Sequence, residues 1–266
     1  MRIPARSRAA LAAVALLSLL AGCGGSSGGT TSGGAELVAA DTLTVCSDVP
    51  YPPFETFDKS SELGFSGFDI ELANQIAQGL DLKLAVQDVG FETLQSGQVL
   101  AAGQCDMGAS AMTITPERAK NLTFSDPYYD SKQSLLVFKD SGIKTLDDLV
   151  GKKVGVQQGT TGQRYAEENL PEGATPVAYP SDGELYPALQ AHQIDAILQD
   201  YPVNLSHVQA NDKLAIVQQY DTNEQYGFAF AKDNTALADE VNAQLKKLRD
   251  NGEYQKLFDK YFSLEQ

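Results

Sequence analysis

Leu100-Ala-Ala-Gly-Gln-Cys-Asp106 and Leu189-Gln-Ala-His-Gln-Ile-Asp195 carry Leu, Ala, Gln and Asp at the same offsets. Each stretch ends a helical pattern and leads into an apolar strand pattern. The two lie about 90 residues apart, which indicates that one βαβ unit is used twice, once in each of two lobes. A chance match of common residues is the alternative.

Short β-rich runs alternate with helical patterns along the chain. Leu72, Ala73, Ile76, Ala77 and Leu80, for example, follow the spacing of three and four that marks a buried helix face. The alternation predicts an α/β protein with largely parallel strands. The predicted strands are 43–47, 82–86, 106–111, 134–138, 153–157, 175–179, 194–199, 214–218 and 226–231.

Residues 110–113 and 199–201 follow the two repeated stretches and fall just past the predicted strand ends. Open α/β sheets bind ligands at the carboxyl ends of their strands. We therefore expect these two segments to face a common ligand site.

The composition excludes several classes of protein. The chain has 266 residues, of which 42% are hydrophobic and 21% charged, so neither disorder nor a coiled coil describes it. Twenty Lys and Arg against 35 Asp and Glu give a net charge of −15, which excludes a large nucleic-acid surface. The acidity is typical of a soluble monomer kept apart by self-repulsion, with attraction of cationic solutes as the alternative.

The first residues predict export. Arg2, Arg6 and Arg8 precede the apolar run 9–20, which is too short for a membrane span and is typical of a signal peptide over residues 1–22. The junction Leu20-Ala21-Gly22-Cys23 resembles the bacterial lipobox, in which the Cys is lipid-modified after cleavage. Residues 24–34 are Gly, Ser and Thr, so we predict that 23–40 form a lipid-anchored flexible tether on the extracytoplasmic face of the cell membrane.

Two further cysteines, Cys46 and Cys105, would lie in an oxidising compartment, where a pair normally forms a disulfide. Their apolar surroundings leave a second interpretation open, namely two small buried apolar residues.

Candidate catalytic residues are scarce. His192 and His207 have no metal-ligand spacing and are expected at the surface or at element boundaries, and no Ser nucleophile elbow of the G-x-S-x-G kind follows a predicted strand. The stretch 155–162 is Gly-rich but lacks the Lys of a phosphate loop. We expect no catalytic residue, no metal and no cofactor.

A zwitterion fits the remaining polar residues. Thr115 is a predicted N-cap and Pro116 a first helical residue, which puts Arg118 in a first turn, where the helix dipole disfavours it unless it grips a carboxylate. Asp200 ends an apolar strand and could meet an ammonium group. A solvated Arg118 and a turn or capping role for Asp200 are the alternatives.

Several motifs in order resemble the family 3 extracellular solute-binding proteins of bacterial ABC importers, which bind amino acids. The resemblance covers about residues 41–264 and rests on the motifs at 47–55, 67–73, 106–129, 155–161 and 194–197. It implies a two-lobed periplasmic-binding (type II) fold, each lobe a mostly parallel sheet flanked by helices. Lobe 1 would comprise 41–135 and 229–266 and lobe 2 136–228, with hinge strands near 134–138 and 227–230.

The resemblance also implies the ligand contacts. Arg118 would hold the α-carboxylate, and Asp200 the α-ammonium. Asp48 would favour a polar side chain, basic ones included, and either Gln158 or Gln163 would reach the ligand from lobe 2. The full predicted set is Asp48, Tyr51, Phe54, Phe91, Ser110, Ala111, Met112, Thr113, Arg118, Gln158, Thr160, Thr161 and Asp200. Phe54 could instead seal the core, and a longer spacing before Asp106 leaves the place of Phe91 open.

The expected function is amino-acid capture and delivery to an ABC permease, without enzymatic activity. The alternative is a cyclohexadienyl-dehydratase-like enzyme on the same fold, which would need an acid such as Glu55 or Glu92 in the pocket. A sensory domain is a weaker third reading.

Overall fold

A computed structural model describes residues 28–263 of the chain. The predicted signal peptide and Cys23 lie outside these residues. Within the described range, no helix combines the length and apolar character that a membrane crossing requires.

The described chain alternates strands and helices, as the sequence predicts. The strands are β1 (Gly29–Thr30), β2 (Glu36–Leu37), β3 (Thr42–Ser47), β4 (Thr56–Phe57), β5 (Phe65–Ser66), β6 (Lys83–Asp88), β7 (Met107–Gly108), β8 (Leu122–Phe124), β9 (Tyr129–Phe138), β10 (Lys153–Gln157), β11 (Thr175–Tyr179), β12 (Ala196–Asp200), β13 (Leu214–Tyr226) and β14 (Ala229–Ala231). The α-helices are α1 (Phe68–Gly79), α2 (Phe91–Gln95), α3 (Gln98–Ala101), α4 (Thr161–Asn169), α5 (Asp182–Gln190), α6 (Tyr201–Ala210), α7 (Thr235–Asp250) and α8 (Glu253–Phe262), with 3₁₀ turns at Arg118–Lys120 and Leu146–Leu149.

Two five-stranded sheets share one topology. The first has the order β6-β3-β7-β14-β8 and the second β11-β10-β12-β9-β13. In each, the first three strands are parallel, and the last two pair antiparallel to their neighbours. The chain therefore forms the two-lobed α/β fold expected from the sequence, with the first sheet in lobe 1 and the second in lobe 2.

The repeated stretches have the same structural role in both lobes. The Asp106 carboxylate accepts the backbone N–H of Thr44 at 2.7 Å, and the Asp195 carboxylate accepts that of Lys153 at 2.8 Å. Each Asp thus ties the loop before the third strand of its sheet to the neighbouring parallel strand, β3 in lobe 1 and β10 in lobe 2. The shared residues mark a structural repeat.

The first of the two crossings between the lobes differs from the prediction. β9 pairs with both β12 and β13, and its pairing with β13 starts at Tyr129 opposite Tyr226. The expected hinge at 134–138 is therefore wrong, because those residues are paired on both sides within the second sheet. The chain crosses between β8 and β9 and again between β13 and β14, and we propose that lobe 1 ends near residue 128 instead of 135.

Lobe 1 packs around an aromatic cluster. The predicted helix is confirmed as α1, and its Leu72, Ala73 and Ile76 are fully buried in this core. Phe54 is also fully buried, with its ring 5.1 Å from that of Tyr129 and 5.3 Å from that of Tyr226. The aromatic contacts join lobe 1 to the beginning of β9 and the end of β13.

The predicted flexible tether is wrong from residue 28 onward. Residues 28–40, called the N-terminal strap below, form the β1–β2 hairpin and pack on lobe 1. Ala35 and Leu37 are 1% and 5% exposed in the lobe 1 core. Because these two apolar side chains are buried, the N-terminal strap is held on lobe 1, although its Gly, Ser and Thr content predicts a flexible segment.

Cys46 and Cys105 form a disulfide with their Cα atoms 5.8 Å apart, which joins β3 to the loop before β7. His207 is not a surface residue as expected. It is 4% exposed, hydrogen-bonds Asp182 at 2.9 Å and stacks on Tyr186. His192 is exposed and stacks on Phe138.

Candidate functional site

A small cavity lies between the lobes at the carboxyl ends of their strands. Asp48 follows β3, residues 110–113 follow β7, Gln157 ends β10 and Asp200 ends β12. The two segments expected to share a ligand site do meet here. The lining residues are Asp48, Tyr51, Phe91, Ser110, Ala111, Thr113 and Arg118 of lobe 1 and Gln157, Thr160, Thr161 and Asp200 of lobe 2.

Arg118 brings the lobes together through its guanidinium. Nη1 donates to the Thr113 carbonyl at 2.8 Å, and Nη2 donates to the Gly159 carbonyl of lobe 2 at 2.9 Å. The group lies 5.1 Å from the centre of the Phe91 ring. Burial lowers the pKa of Arg118 to about 10, partly opposed by Asp200 and Glu224, so the group is charged at neutral pH.

The local fold around Arg118 differs from the expected helix. The Thr115 hydroxyl accepts the Arg118 N–H at 3.1 Å, as a cap does, but the helix is only the 3₁₀ turn Arg118–Lys120 before β8. A turn this short has little dipole, so the dipole argument for a special Arg does not apply. Burial beneath Phe91 and the two carbonyl partners hold Arg118 instead.

Asp200 forms the acidic end of the cavity in lobe 2. It is 5% exposed and accepts hydrogen bonds from the Tyr226 hydroxyl and the Gln133 amide. Burial, and then nearby Glu224, raise the pKa of Asp200 to about 7. An ammonium group at this carboxylate would favour its ionised form.

Glu224 is a buried carboxylate that the sequence analysis did not single out. It accepts the hydroxyls of Thr113 from lobe 1 and Thr161 from lobe 2, each at 2.9 Å. The Gln133 amide donates to it at 3.1 Å. Glu224 lies near the end of β13, beside Asp200. It is a third carboxylate at this site, in addition to Asp48 and Asp200, which line the cavity.

Asp48 supplies the acidic group of lobe 1. Its carboxylate accepts the Gln157 side-chain amide of lobe 2 at 2.6 Å, and its backbone N–H donates to the Ser110 hydroxyl at 3.0 Å. Burial raises the pKa of Asp48 to about 7, with Asp88 and Asp182 adding to the shift and the Gln157 hydrogen bond opposing it.

Three predicted site residues do not line the cavity. Phe54 lies in the aromatic core, Met112 is fully buried in the core beside the disulfide, and Gln158 is exposed. Gln163 lies outside the cavity too, because its side-chain oxygen accepts the Gly159 N–H at 2.8 Å. The remaining ten predicted residues are brought together, Phe91 among them.

Gln157 is the lining residue that the sequence analysis missed. Val154 and Val156 of β10 point into the lobe 2 core, so the alternation of a strand puts Gln157 on the other face, at the strand end. Strand alternation is therefore a signal that could have selected Gln157 over Gln158.

The candidate acids of an enzyme lie outside the cavity. Glu55 is fully buried behind Ser110, whose hydroxyl donates to it at 2.8 Å. Burial and the neighbouring Asp69 raise the pKa of Glu55 well above its usual range. Glu92 is exposed. Among residues 28–263, no cluster of three or more His, Cys, Asp or Glu suited to a metal is found.

The sequence of this chain is similar to those of bacterial solute-binding proteins. The profile of the bacterial extracellular solute-binding proteins, family 3, matches residues 43–264. A putative ABC transporter arginine-binding protein 2 of Escherichia coli (strain K12) is 33% identical over 229 residues, which cover 84% of this chain and 92% of the relative.

Two solved structures extend the comparison. An ancestral arginine-binding protein bound to arginine is 34% identical, with a TM-score of 0.76, over 84% of this chain and 98% of its own. An ancestral amino acid-binding protein, a precursor of cyclohexadienyl dehydratase, is 36% identical with a TM-score of 0.76, over 84% of this chain and 96% of its own.

Proposed function

Because the chain belongs to the bacterial extracellular solute-binding proteins of family 3, we propose that it captures a basic L-amino acid between its lobes and delivers it to an ABC permease. The observation that carries this proposal is the charge of the cavity. Asp48 and Asp200 line it on opposite lobes, whereas Arg118 is the one Lys or Arg that lines it in the described chain. A ligand with one carboxylate and two cationic groups balances these charges.

The ligand would lie across the cleft. Its α-carboxylate would meet Arg118 and the backbone N–H groups near Thr113 and Thr161, because a planar guanidinium binds a carboxylate at two points. Its α-ammonium would meet Asp200, and its side-chain cation Asp48. Charge-assisted hydrogen bonds at both ends keep the buried charges paired.

Closure follows from the division of these groups between lobes. Arg118 and Asp48 belong to lobe 1 and Asp200 to lobe 2, so a ligand that binds all three favours the closed arrangement. The hydrogen bonds from Arg118 to Gly159 and from Gln157 to Asp48 already link the lobes across the cleft.

The relatives support this ligand class. Arginine is named for both the Escherichia coli relative and the ancestral structure. We further propose export by the signal peptide at residues 1–22, lipid attachment at Cys23, a monomeric state and contact with the permease. The sequence pattern before Cys23 supports lipid attachment.

The dehydratase reading is the second candidate, since one similar structure is a precursor of such an enzyme. An acid that acts on a bound substrate must come within hydrogen-bond reach of it. Glu55 lies behind Ser110 and Glu92 is exposed, so the cavity geometry favours binding.

Thermal unfolding of the refolded mature protein tests the proposal against the twenty amino acids, ornithine, prephenate and arogenate. A ligand present at about 1,000 times its Kd stabilises the native state by about 4 kcal/mol. We expect a large shift with arginine, lysine or ornithine, and its loss in Arg118→Ala. Shifts with neutral amino acids alone would overturn the basic ligand, and turnover of prephenate or arogenate would establish the enzyme.

A further inference from the structure

The N-terminal strap, residues 28–40, is tied to lobe 1 by specific side chains. The buried Thr31 hydroxyl donates to Glu240 of α7 at 2.7 Å and accepts the backbone N–H of Ala35 at 2.9 Å. Farther along, the Val38 N–H donates to Asp106 at 2.6 Å. Asp106 is the carboxylate that also holds the start of β3, so the strap shares an anchor with the central sheet of lobe 1.

One glycine of the strap fits because it has no side chain. A Cβ at Gly29 would lie 2.6 Å from the backbone Cα of Ala40, a distance that requires the two chain segments to separate. The neighbouring Thr30 is exposed. Gly29 therefore permits the close backbone approach on which the β1–β2 hairpin depends.

Docking of the strap shortens the reach of the chain after Cys23. Gly28 follows Cys23 by five residues, which span at most about 18 Å when fully extended. If the whole segment up to Asp41 were free, its 18 residues could reach about 65 Å. A docked strap thus keeps the surface of lobe 1 around the β1–β2 hairpin close to the point at which Cys23 is attached.

We propose that the surface of lobe 1 formed by the β1–β2 hairpin and the first turns of α7 faces the lipid bilayer at close range. The proposal rests on the lipid attachment at Cys23 proposed above. This surface faces the membrane because the short chain between Cys23 and Gly28 ends at this hairpin. With lobe 1 held there, the motion that closes the cleft belongs to lobe 2.

The test uses the full lipidated protein in vesicles of phosphatidylethanolamine and phosphatidylglycerol that carry an acceptor dye in their headgroups. A donor is attached through an unnatural amino acid at exposed position 239 of α7 or at exposed position 172 of lobe 2. Energy transfer should be stronger from 239 than from 172. The double variant Gly29→Val/Thr31→Val should reduce transfer from 239, whereas the control Thr30→Val should not.

Hydrogen exchange of the same samples reports docking independently of the membrane. The backbone amides at positions 31, 35 and 38 should be protected in the wild type and in Thr30→Val, and should exchange faster in the double variant. Rapid exchange in the wild type would overturn the docked strap. Two results would overturn the membrane-facing surface if the amides are protected. One is equal energy transfer from positions 239 and 172, and the other is energy transfer from 239 that does not change in the double variant.

Mass spectrometry of the mature amino terminus separates this inference from its premise. An unmodified Cys23 would remove both the lipid anchor and the membrane-facing surface, while the amino-acid binding proposal would be judged by its own ligand screen.

Discussion

Asp48→Asn should change the ligand preference of the cavity from basic to neutral amino acids. The substitution retains an oxygen that can accept the Gln157 amide, which now donates to Asp48 at 2.6 Å, and removes only the charge. Asp48 is 4% exposed, so a cationic side chain beside it is poorly compensated by water once that charge is lost.

The size of the effect follows from this burial. Loss of one member of a desolvated charge pair costs about 2–5 kcal/mol, because the other charge stays buried without a partner. A loss of about 3 kcal/mol corresponds to a roughly 150-fold rise in the Kd for arginine. The Kd for glutamine should fall or stay constant, since a neutral side chain has no charge to leave unpaired.

Isothermal titration calorimetry at pH 8 with arginine and glutamine measures both constants. Asp88→Asn is the matched control, because Asp88 is exposed, its nearby charge acts on Asp48, and the amide oxygen of Asn can still accept the Val49 backbone N–H that Asp88 accepts at 3.2 Å. It should change the arginine Kd only a fewfold. Asp48→Asn that binds arginine as tightly as the wild type would refute the assignment of Asp48 to the side-chain cation.

Other predictions concern pH, the disulfide and the core. Affinity for arginine should fall as pH drops below about 7, by up to tenfold per pH unit for each of Asp48 and Asp200, because protonation removes the charge that meets the ligand; titrations between pH 5 and 8 measure this. Without ligand, the stability of the fold should depend on pH in the opposite direction. Both carboxylates bind protons more tightly in the folded than in the unfolded protein, so the free energy of unfolding should decrease as pH rises from about 4 to 7, by up to about 1.4 kcal/mol per pH unit for each group. Urea midpoints that do not change over this range would contradict the prediction. Reduction of the Cys46–Cys105 disulfide, which spans 59 residues, should lower stability by up to about 4 kcal/mol in urea unfolding. Phe54→Ala should cost about 3–5 kcal/mol of stability while the arginine Kd changes little, and a selective loss of affinity would put Phe54 at the ligand.

Long apolar patterns allowed the fold to be predicted from the sequence. The strands at 153–157 and 175–179 occur where their patterns place them. Residues 154–157 of β10 are buried, and Val177 and Tyr179 of the edge strand β11 are partly buried against the core of lobe 2. The repeated Asp106 and Asp195 marked equivalent positions because each accepts a backbone N–H from the neighbouring parallel strand, β3 or β10.

Predictions that depended on composition or on a single register position failed. Residues 28–40 look flexible, yet two buried side chains, Ala35 and Leu37, and the hydroxyl of Thr31 dock them. Gln157 and Gln158 are neighbours in the sequence, and the alternation of side chains along β10 decides which of them reaches the cavity. Glu224 was not singled out because its partners Thr113 and Thr161 are far from it in sequence.

The charge of the cavity and its closure are connected through Glu224. Thr113 and Thr161 reach this one carboxylate from opposite lobes, so it lies where the lobes meet, and it is near enough to Asp200 to raise the pKa of that group. Asp200 and Glu224 both belong to the sheet of lobe 2, and closure adds the Thr113 hydroxyl of lobe 1 to Glu224 and places the Arg118 cation near both carboxylates. An ammonium group beside Asp200 favours the ionised form of that carboxylate. A cationic ligand at Asp200 therefore adds a favourable charge interaction in lobe 2 to the hydrogen bond that Thr113 of lobe 1 makes with Glu224 across the cleft.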